Sequence, residues 1–287
     1  MKRRHALWLL GGLVSCGEKV PFSEWRGICF GIPVSIKFSG VDHDDAQKFG
    51  DEALKIAQSY EAVFSLWDEN SELRRLNRDG SLSNPSEALQ DILYRASLLY
   101  DLTDGFFDPT IHAYLEWVKG EYAEGRIPDS EEADKKRALV NFSRVQFSPK
   151  EILLEKGMAM SLNAIAQGYV TDHVARFLEG EDVSALVNLG EYRVVGDKPW
   201  TVSVEGNDIS LKNSLAVSSG SGERLSATSA ANHLIDPKTG KSPPPQEVVA
   251  VEALDAWLAD GLATVIAIKG FDFLKLEDVT VRVFEKP

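Results

Sequence analysis

Asp260 and Thr264 form the residue pair in this chain that most directly suggests metal chemistry. They are four residues apart in the segment 255–264, so a helix there would place both side chains on one face. A carboxylate beside a hydroxyl offers hard oxygen ligands, which suit Mg²⁺ or Ca²⁺ better than zinc. The same spacing is common in solvated helix faces and local hydrogen bonds, so the pair alone leaves both interpretations open.

Histidine chemistry is limited by the number and spacing of these residues. Four histidines follow the first 15 residues, and they are too scattered for a Cys/His zinc cage: His43, His112, His173 and His233. His233 precedes the turn sequence 236–240, which would either hold the ring at a cleft edge or bury it in a tight loop.

The small-residue run 218–222 suits either an anion-binding nest or a hairpin. Walker-type and Gly-x-Ser-x-Gly motifs are absent from the sequence, which argues against P-loop and α/β-hydrolase chemistry.

The first 16 residues resemble a lipoprotein export signal. A basic start is followed by nine apolar residues at 6–14, too few to span a bilayer, and the tetrad 13–16 ends in Cys16. We therefore expect a signal peptide at 1–15, lipid on Cys16, a tether at 16–26 and one domain at 27–287. A plain secretory signal with an incidental cysteine is the alternative, and the Arg3-Arg4 pair leaves the Sec and Tat export routes both open.

Charge and cysteine content restrict the partners of the mature chain. The formal charge is −13, and removal of Lys2, Arg3 and Arg4 with the signal takes it to −16 (−13 − 3). Such an acidic protein is a poor partner for nucleic acid or anionic lipid head groups. With Cys16 carrying lipid, Cys29 is left alone and no internal disulfide can form. We expect a bacterial protein held by lipid at the periplasmic face of the membrane, with the chain's 44% hydrophobic residues supplying a full core.

The elements that would position these residues are mixed helices and strands. Apolar spacing predicts helices at 44–64, 164–178 and 254–269. A further helix is predicted to begin after an N-cap at Asn84 and to end before Gly105. Short β-rich runs are predicted at 152–154, 158–162, 185–188, 192–195, 200–204, 248–251 and 279–284. Because helices and strands do not alternate regularly, the predicted class is α+β, one large domain of two packed halves.

Seven motifs along the chain together resemble one family. In order they are 65–77 (SLWDENSELRRLN), 105–110 (GFFDPT), 163–172 (NAIAQGYVTD), 187–190 (VNLG), 218–220 (SSG), 233–240 (HLIDPKTG) and 259–264 (ADGLAT). Their order and spacing closely resemble the FAD:protein FMN transferase family, also called the ApbE family, over residues 27–270. The resemblance implies that family's fold, a lipoprotein address, and attachment of FMN from FAD, through a phosphoester bond, to a Thr or Ser of a target flavoprotein with release of AMP.

The resemblance also implies roles for individual residues. Mg²⁺ would be held by the Asp260 carboxylate, the Thr264 hydroxyl and the Ala164 carbonyl. Contacts to FAD would come from Phe30, Trp67, Phe106, Phe107, Asp108, Ser161, Gln167 and Ile235. His233 and Asp260 would be the catalytic residues, with His233 acting as an acid or base or only as a positioning group.

Three positions depart from the family pattern. The family usually has Asp at Ser161, Lys at Gln167, and Gly-Gly-Asp where this chain has Gly190-Glu191-Tyr192. Loss of the lysine removes a point charge that would pair with flavin or phosphate. Two alternatives to transfer therefore stay open, a Mg²⁺-dependent FAD pyrophosphatase in which water replaces the acceptor and a non-catalytic FAD-binding lipoprotein.

Overall fold

The computed structural model describes residues 22–219, 224–225, 231–243, 247–270, 272–274 and 276–285. The predicted signal, Cys16 and most of the predicted tether lie outside these ranges, as do residues 220–222 of the small-residue run. Within the described ranges, no helix combines the length and the apolar character that crossing a bilayer requires.

A seven-stranded sheet forms the centre of the molecule, and each neighbouring pair of strands in it is antiparallel. In spatial order its strands are β1 (Phe22–Cys29), β2 (Ile32–Ser39), β6 (Ser184–Asn188), β7 (Tyr192–Val195), β10 (Ser214–Ser219), β11 (Glu247–Ala253) and β12 (Thr280–Glu285). A small sheet contains β3 (Ser81–Ser83), β5 (Glu151–Leu153) and β4 (Gln146–Phe147), and β8 (Trp200–Val204) pairs with β9 (Asn207–Leu211). The antiparallel sheet confirms the predicted α+β class.

Helices occupy a large part of the described chain. They are α1 (His43–Phe64), α2 (Glu72–Asp79), α3 (Glu87–Leu102), α4 (His112–Ala123), α5 (Ser130–Arg137), α6 (Ala166–Gly180) and α7 (Ala256–Lys269), with 3₁₀ turns at Pro109–Ile111 and Phe142–Arg144. Helices α1, α6 and α7 overlap three of the four predicted helical segments to within two residues at each end, and the fourth predicted segment is α3.

The central strands of the sheet are covered on both faces, because successive residues along a strand point to opposite faces and here contribute to two different apolar clusters. On β7, Val195 faces the main core with the helices, whereas Val194 faces a second cluster formed with the β8–β9 hairpin. The same alternation places Tyr192 on the hairpin side. Side chains of β7 at odd positions therefore point toward α6 and α7, the helices that hold the site.

Two local predictions are wrong, and each has a physical reason. Helix α3 is capped by Ser86, whose hydroxyl accepts the Leu89 N–H at 3.2 Å, while Asn84 has a positive φ of 51° and lies before the cap. Residues 158–162 alternate in burial but form no strand, because the Met160 N–H and carbonyl bond to the Asn77 side chain instead of a neighbouring strand.

Candidate functional site

The N-terminal turn of α6 crosses α7 at very short range, and Asp260 lies at this crossing. Gly168 permits the approach, since a Cβ at this position would lie 2.2 Å from the Ala256 carbonyl oxygen. The Gly168 N–H donates to Asp260 Oδ2 at 3.0 Å, although Asp260 is only 6% exposed. The first turn of α6 thus directs a backbone donor, at the positive end of the helix dipole, toward a buried carboxylate.

This hydrogen bond changes the bonding of Ala164. In a continuous helix the Gly168 N–H would bond to the carbonyl four residues earlier, but here it bonds to Asp260. Across the described residues, no hydrogen bond reaches the Ala164 carbonyl oxygen. Thr264 lies one turn after Asp260 on α7 and is half-buried. The three predicted cation ligands therefore lie at one helix terminus and on one face of the neighbouring helix.

A second carboxylate, that of Glu191, also belongs to this site. Glu191 is 7% exposed, and its Oε2 accepts the Val217 N–H at 3.2 Å. Burial and then the nearby charge of Asp260 raise the pKa of Glu191 well above its usual range. Sequence reasoning noted Glu191 as a departure without placing it in the site. A glutamate following Gly190, where the family has glycine, was the available signal.

Asp260 also titrates abnormally. Burial raises its pKa to about 7, the hydrogen bond from Gly168 opposes this rise, and the charge of Asp172 adds to it. Within the described part of the chain, neither Asp260 nor Glu191 is ion-paired with a lysine or arginine. Among the described residues, these two buried carboxylates have no positive partner and the Ala164 carbonyl accepts no hydrogen bond, and this donor chemistry fits a hard divalent cation.

Gln167 lies against the backbone that carries Glu191. Gly190 has a φ of 111°, and a Cβ there would lie 2.7 Å from Gln167 Cδ. The side chain of Gln167 therefore covers Gly190 directly. Two of the departures from the family pattern, at residues 167 and 190–192, are thus in contact with each other.

Asp172 fixes the start of α7, although its role was not predicted. Its carboxylate accepts the N–H groups of Ala256 and Trp257 at 2.9 and 3.0 Å and pairs with Arg193 at 2.5 Å. Helix α7 receives no cap from the side chain of its own N-cap residue, Asp255. An α6 carboxylate therefore caps α7 and fixes the position of Asp260 one turn further on.

Asp108, predicted to contact FAD, is saturated with internal hydrogen bonds. Its Oδ1 accepts the N–H and the hydroxyl of Thr110 at 2.8 and 2.5 Å, and its Oδ2 accepts the Phe142 N–H at 3.0 Å. Burial raises its pKa, and these hydrogen bonds oppose the rise. The next residue in the chain, Pro109, accepts the Ser161 N–H at 2.9 Å, so the segments that carry Asp108 and Ser161 are joined.

The aromatic residues of the GFFDPT motif have different surroundings. Phe107 is buried in the main core. Phe106 is half-buried, and the ammonium groups of Lys238 and Lys269 each lie 4.1 Å from its ring centroid. A flavin that stacked on Phe106 would have to displace one of these ammonium groups.

The segment 231–243 forms the predicted turn. The Gly240 N–H donates to the Asp236 carbonyl at 2.7 Å, and the Asn232 side chain bonds to the backbone of Leu234. His233, predicted to be catalytic, is half-buried in this segment. Ile235 is buried in a small apolar cluster with Tyr114 and Val118, away from the main core.

Trp67 and Phe30 are the two predicted FAD contacts located in turns. Trp67 is 93% exposed, and its N–H bonds to the Ser65 hydroxyl just after α1. Phe30 has a φ of 50° in the two-residue turn between β1 and β2, a conformation that is uncommon for a residue with a side chain. The exposed Trp67 ring is available for a flat ligand.

Fold and site together define an α+β protein with an acidic, oxygen-rich site at a helix crossing. The ApbE family model matches residues 30–280. The chain belongs to the ApbE family, as its motifs predicted.

Curated relatives with this architecture are named FAD:protein FMN transferase. One from Haemophilus influenzae is 27% identical over 313 residues, covering 96% of this chain and 86% of the relative. One from Escherichia coli strain K12 is 28% identical over 287 residues, covering 84% and 79%. The relatives are therefore enzymes of the flavin transferase class.

Solved structures show the same fold. The ApbE protein of Thermotoga maritima superposes with a TM-score of 0.77 at 24% identity, covering 88% of this chain and 89% of that one. The flavin transferase ApbE of Vibrio cholerae gives a TM-score of 0.72 at 21% identity, covering 92% and 97%. At these identities the superpositions support the shared fold alone.

Proposed function

We propose that this protein is a Mg²⁺-dependent FAD:protein FMN transferase. The oxygen of an acceptor Thr or Ser hydroxyl forms a bond to the FMN phosphorus. The bond from that phosphorus to the bridging oxygen breaks, and AMP leaves with that oxygen while the hydroxyl proton is released. Family membership supports the class of reaction. The observation that carries the proposal is the Asp260 carboxylate, held by Gly168 near the Ala164 carbonyl, which accepts no hydrogen bond within the described part of the chain.

Asp260, Thr264 and Ala164 would hold the cation, with positions left for substrate oxygens. A bound Mg²⁺ supplies positive charge that neutralises the pyrophosphate during displacement. Gly168 orients Asp260, and Asp172 fixes the helix that presents it. Trp67 offers an exposed ring for flavin contact, while the buried Asp108 joins its segment to Thr110 and Phe142 through hydrogen bonds.

Incubation with FAD and MgCl₂, with and without a candidate acceptor flavoprotein, tests this function. The transferase predicts AMP together with a flavin-fluorescent acceptor band in a denaturing gel. Free FMN and AMP without labelled acceptor would instead identify the pyrophosphatase, and unchanged FAD with tight binding would identify a flavin-binding lipoprotein. Asp260→Asn should abolish AMP release, whereas the exposed Asp197→Asn should leave it unchanged.

We also propose that the enzyme works at the periplasmic face of a bacterial membrane, held there by lipid on Cys16. The support is the signal-like sequence 1–16, which lies outside the described residues. An acceptor at the same face would be a membrane flavoprotein with an accessible Thr or Ser.

A further inference from the structure

We propose that Glu191 is a second anionic ligand of the divalent cation, acting together with Asp260. This inference rests on the proposed cation site, which the motifs assign to Asp260, Thr264 and Ala164 alone. Glu191 directly precedes β7, and alternation along that strand places it on the face of Arg193 and Val195. That face packs against α6 and α7, so the side chain of Glu191 points into the helix crossing.

Each of the two carboxylates is held by a backbone N–H from a different element. The Val217 N–H of β10 holds Glu191 Oε2 at 3.2 Å, and the Gly168 N–H of α6 holds Asp260 Oδ2 at 3.0 Å. In the described structure, Glu191 Oε1 and Asp260 Oδ1 accept no hydrogen bond. Each carboxylate thus has one oxygen fixed by the backbone and one available to a ligand. Such paired, anchored oxygens match the ligand preference of Mg²⁺ and Mn²⁺.

The other buried carboxylates of the described chain are compensated in one of two ways. Asp108 accepts three hydrogen bonds that engage both of its oxygens, and Asp172 has a basic partner. Asp172 pairs with Arg193 at 2.5 Å, and the half-buried Glu252 pairs with Arg282 at 3.2 Å. Glu191 is as deeply buried as Asp260 and pairs with no basic side chain in the described ranges. A buried carboxylate without a partner is costly, so a cation that binds both carboxylates would remove the cost.

The second carboxylate changes the order of binding. A site with a single carboxylate binds Mg²⁺ weakly until substrate phosphates complete the ligand set, whereas affinity rises with the number of anionic ligands. We therefore expect this chain to bind the cation before FAD. Because Gln167 is neutral and covers Gly190, the bound cation would supply the positive charge beside Glu191.

Titration with MnCl₂, followed by electron paramagnetic resonance of free Mn²⁺ at pH 8, tests the assignment without FAD and without turnover. Wild type should bind one Mn²⁺. Glu191→Gln keeps the acceptor for Val217 but removes the charge, and Glu191→Gly introduces the family residue. Both should weaken Mn²⁺ binding at least about tenfold, as should Asp260→Asn. Glu252→Gln removes a charge elsewhere in the sheet and should leave Mn²⁺ binding unchanged.

Different failures separate this inference from the proposed function. If both Glu191 variants bind Mn²⁺ like wild type while Asp260→Asn loses it, Glu191 is no ligand and the proposed cation site survives. If wild type binds no Mn²⁺ with or without FAD, the proposed function itself is overturned. Circular dichroism of each metal-free variant confirms that a loss of binding is not a loss of fold.

Discussion

Asp260→Asn should make the metal-free protein more stable at alkaline pH, even though it removes the main ligand of the proposed cation site. The pKa of Asp260 is about 7 in the folded protein against 3.8 for an ordinary aspartate. The folded state therefore holds its proton more tightly than the unfolded chain does. The contribution of Asp260 to stability falls as the pH rises through this interval and is constant above it. The asparagine amide can still accept the Gly168 N–H but carries no charge.

The size of the effect follows from the pKa difference. About three pKa units correspond to roughly 4 kcal/mol of unfolding free energy, of which about 3 kcal/mol falls between pH 5 and pH 8. Urea denaturation in EDTA at both pH values, followed by circular dichroism, measures it. The difference in unfolding free energy between Asp260→Asn and wild type should grow by about 3 kcal/mol from pH 5 to pH 8. The exposed Asp197→Asn should track wild type within about 0.5 kcal/mol.

Magnesium should remove most of this difference in stability. At a hundred times its dissociation constant, a ligand that binds only the folded state adds about 3 kcal/mol, so Mg²⁺ at pH 8 should stabilise wild type but not Asp260→Asn. Equal pH slopes for the two proteins in EDTA would refute the reasoning, because Asp260 would then ionise as readily in the folded protein as in the unfolded chain.

Three further results are expected. Gly168→Ala should lower the free energy of unfolding by about 3 kcal/mol, because its Cβ would collide with the Ala256 carbonyl. The control Gly120→Ala, at an exposed position of α4, should be neutral or stabilising by up to about 1 kcal/mol. Similar melting temperatures for the two variants would contradict the close crossing of α6 and α7. Asp172→Asn should lower the free energy of unfolding, measured by chemical denaturation, by about 3 kcal/mol, because it removes the charge that pairs with Arg193 and weakens the α7 cap. An unchanged unfolding midpoint would count against this role of Asp172. Cys16→Ala should abolish incorporation of radiolabelled fatty acid, and equal labelling of the variant would remove the lipoprotein interpretation.

Local periodicity predicted the main helices of this protein well. Helix α1 shows the predicted stripe, with Ala53, Ala57 and Phe64 buried, because one face of a helix meets the core every three or four residues. Alternation was less reliable for strands. Residues 158–162 alternate in burial, yet their backbone bonds to the Asn77 side chain and not to a strand. The β1–β2 hairpin was not predicted, and its Phe30-Gly31 turn has two positive φ angles. Alternation reports burial, and strand partners are decided by distant parts of the chain.

The site was only partly accessible to sequence reasoning for a similar reason. The four-residue spacing correctly placed Asp260 and Thr264 on one helix, since that relation is local. The hydrogen bond from Gly168 to Asp260 spans 92 residues, and the contact between Gln167 and Gly190 depends on how α6 meets the sheet. Long-range contacts of this kind leave no periodic pattern in the sequence. In the sequence Glu191 is therefore an isolated departure, and only the fold brings it near Asp260.

The close crossing of α6 and α7 limits how this site can change. A single backbone N–H both orients the Asp260 carboxylate and leaves the Ala164 carbonyl available, and it is present at the crossing only because residue 168 has no side chain. Any substitution that separates the helices would move both oxygen donors at once. Variation in cation affinity or substrate charge is therefore confined to the surrounding positions. Gln167, Glu191 and Tyr192, which depart from the family pattern together with Ser161, are such positions.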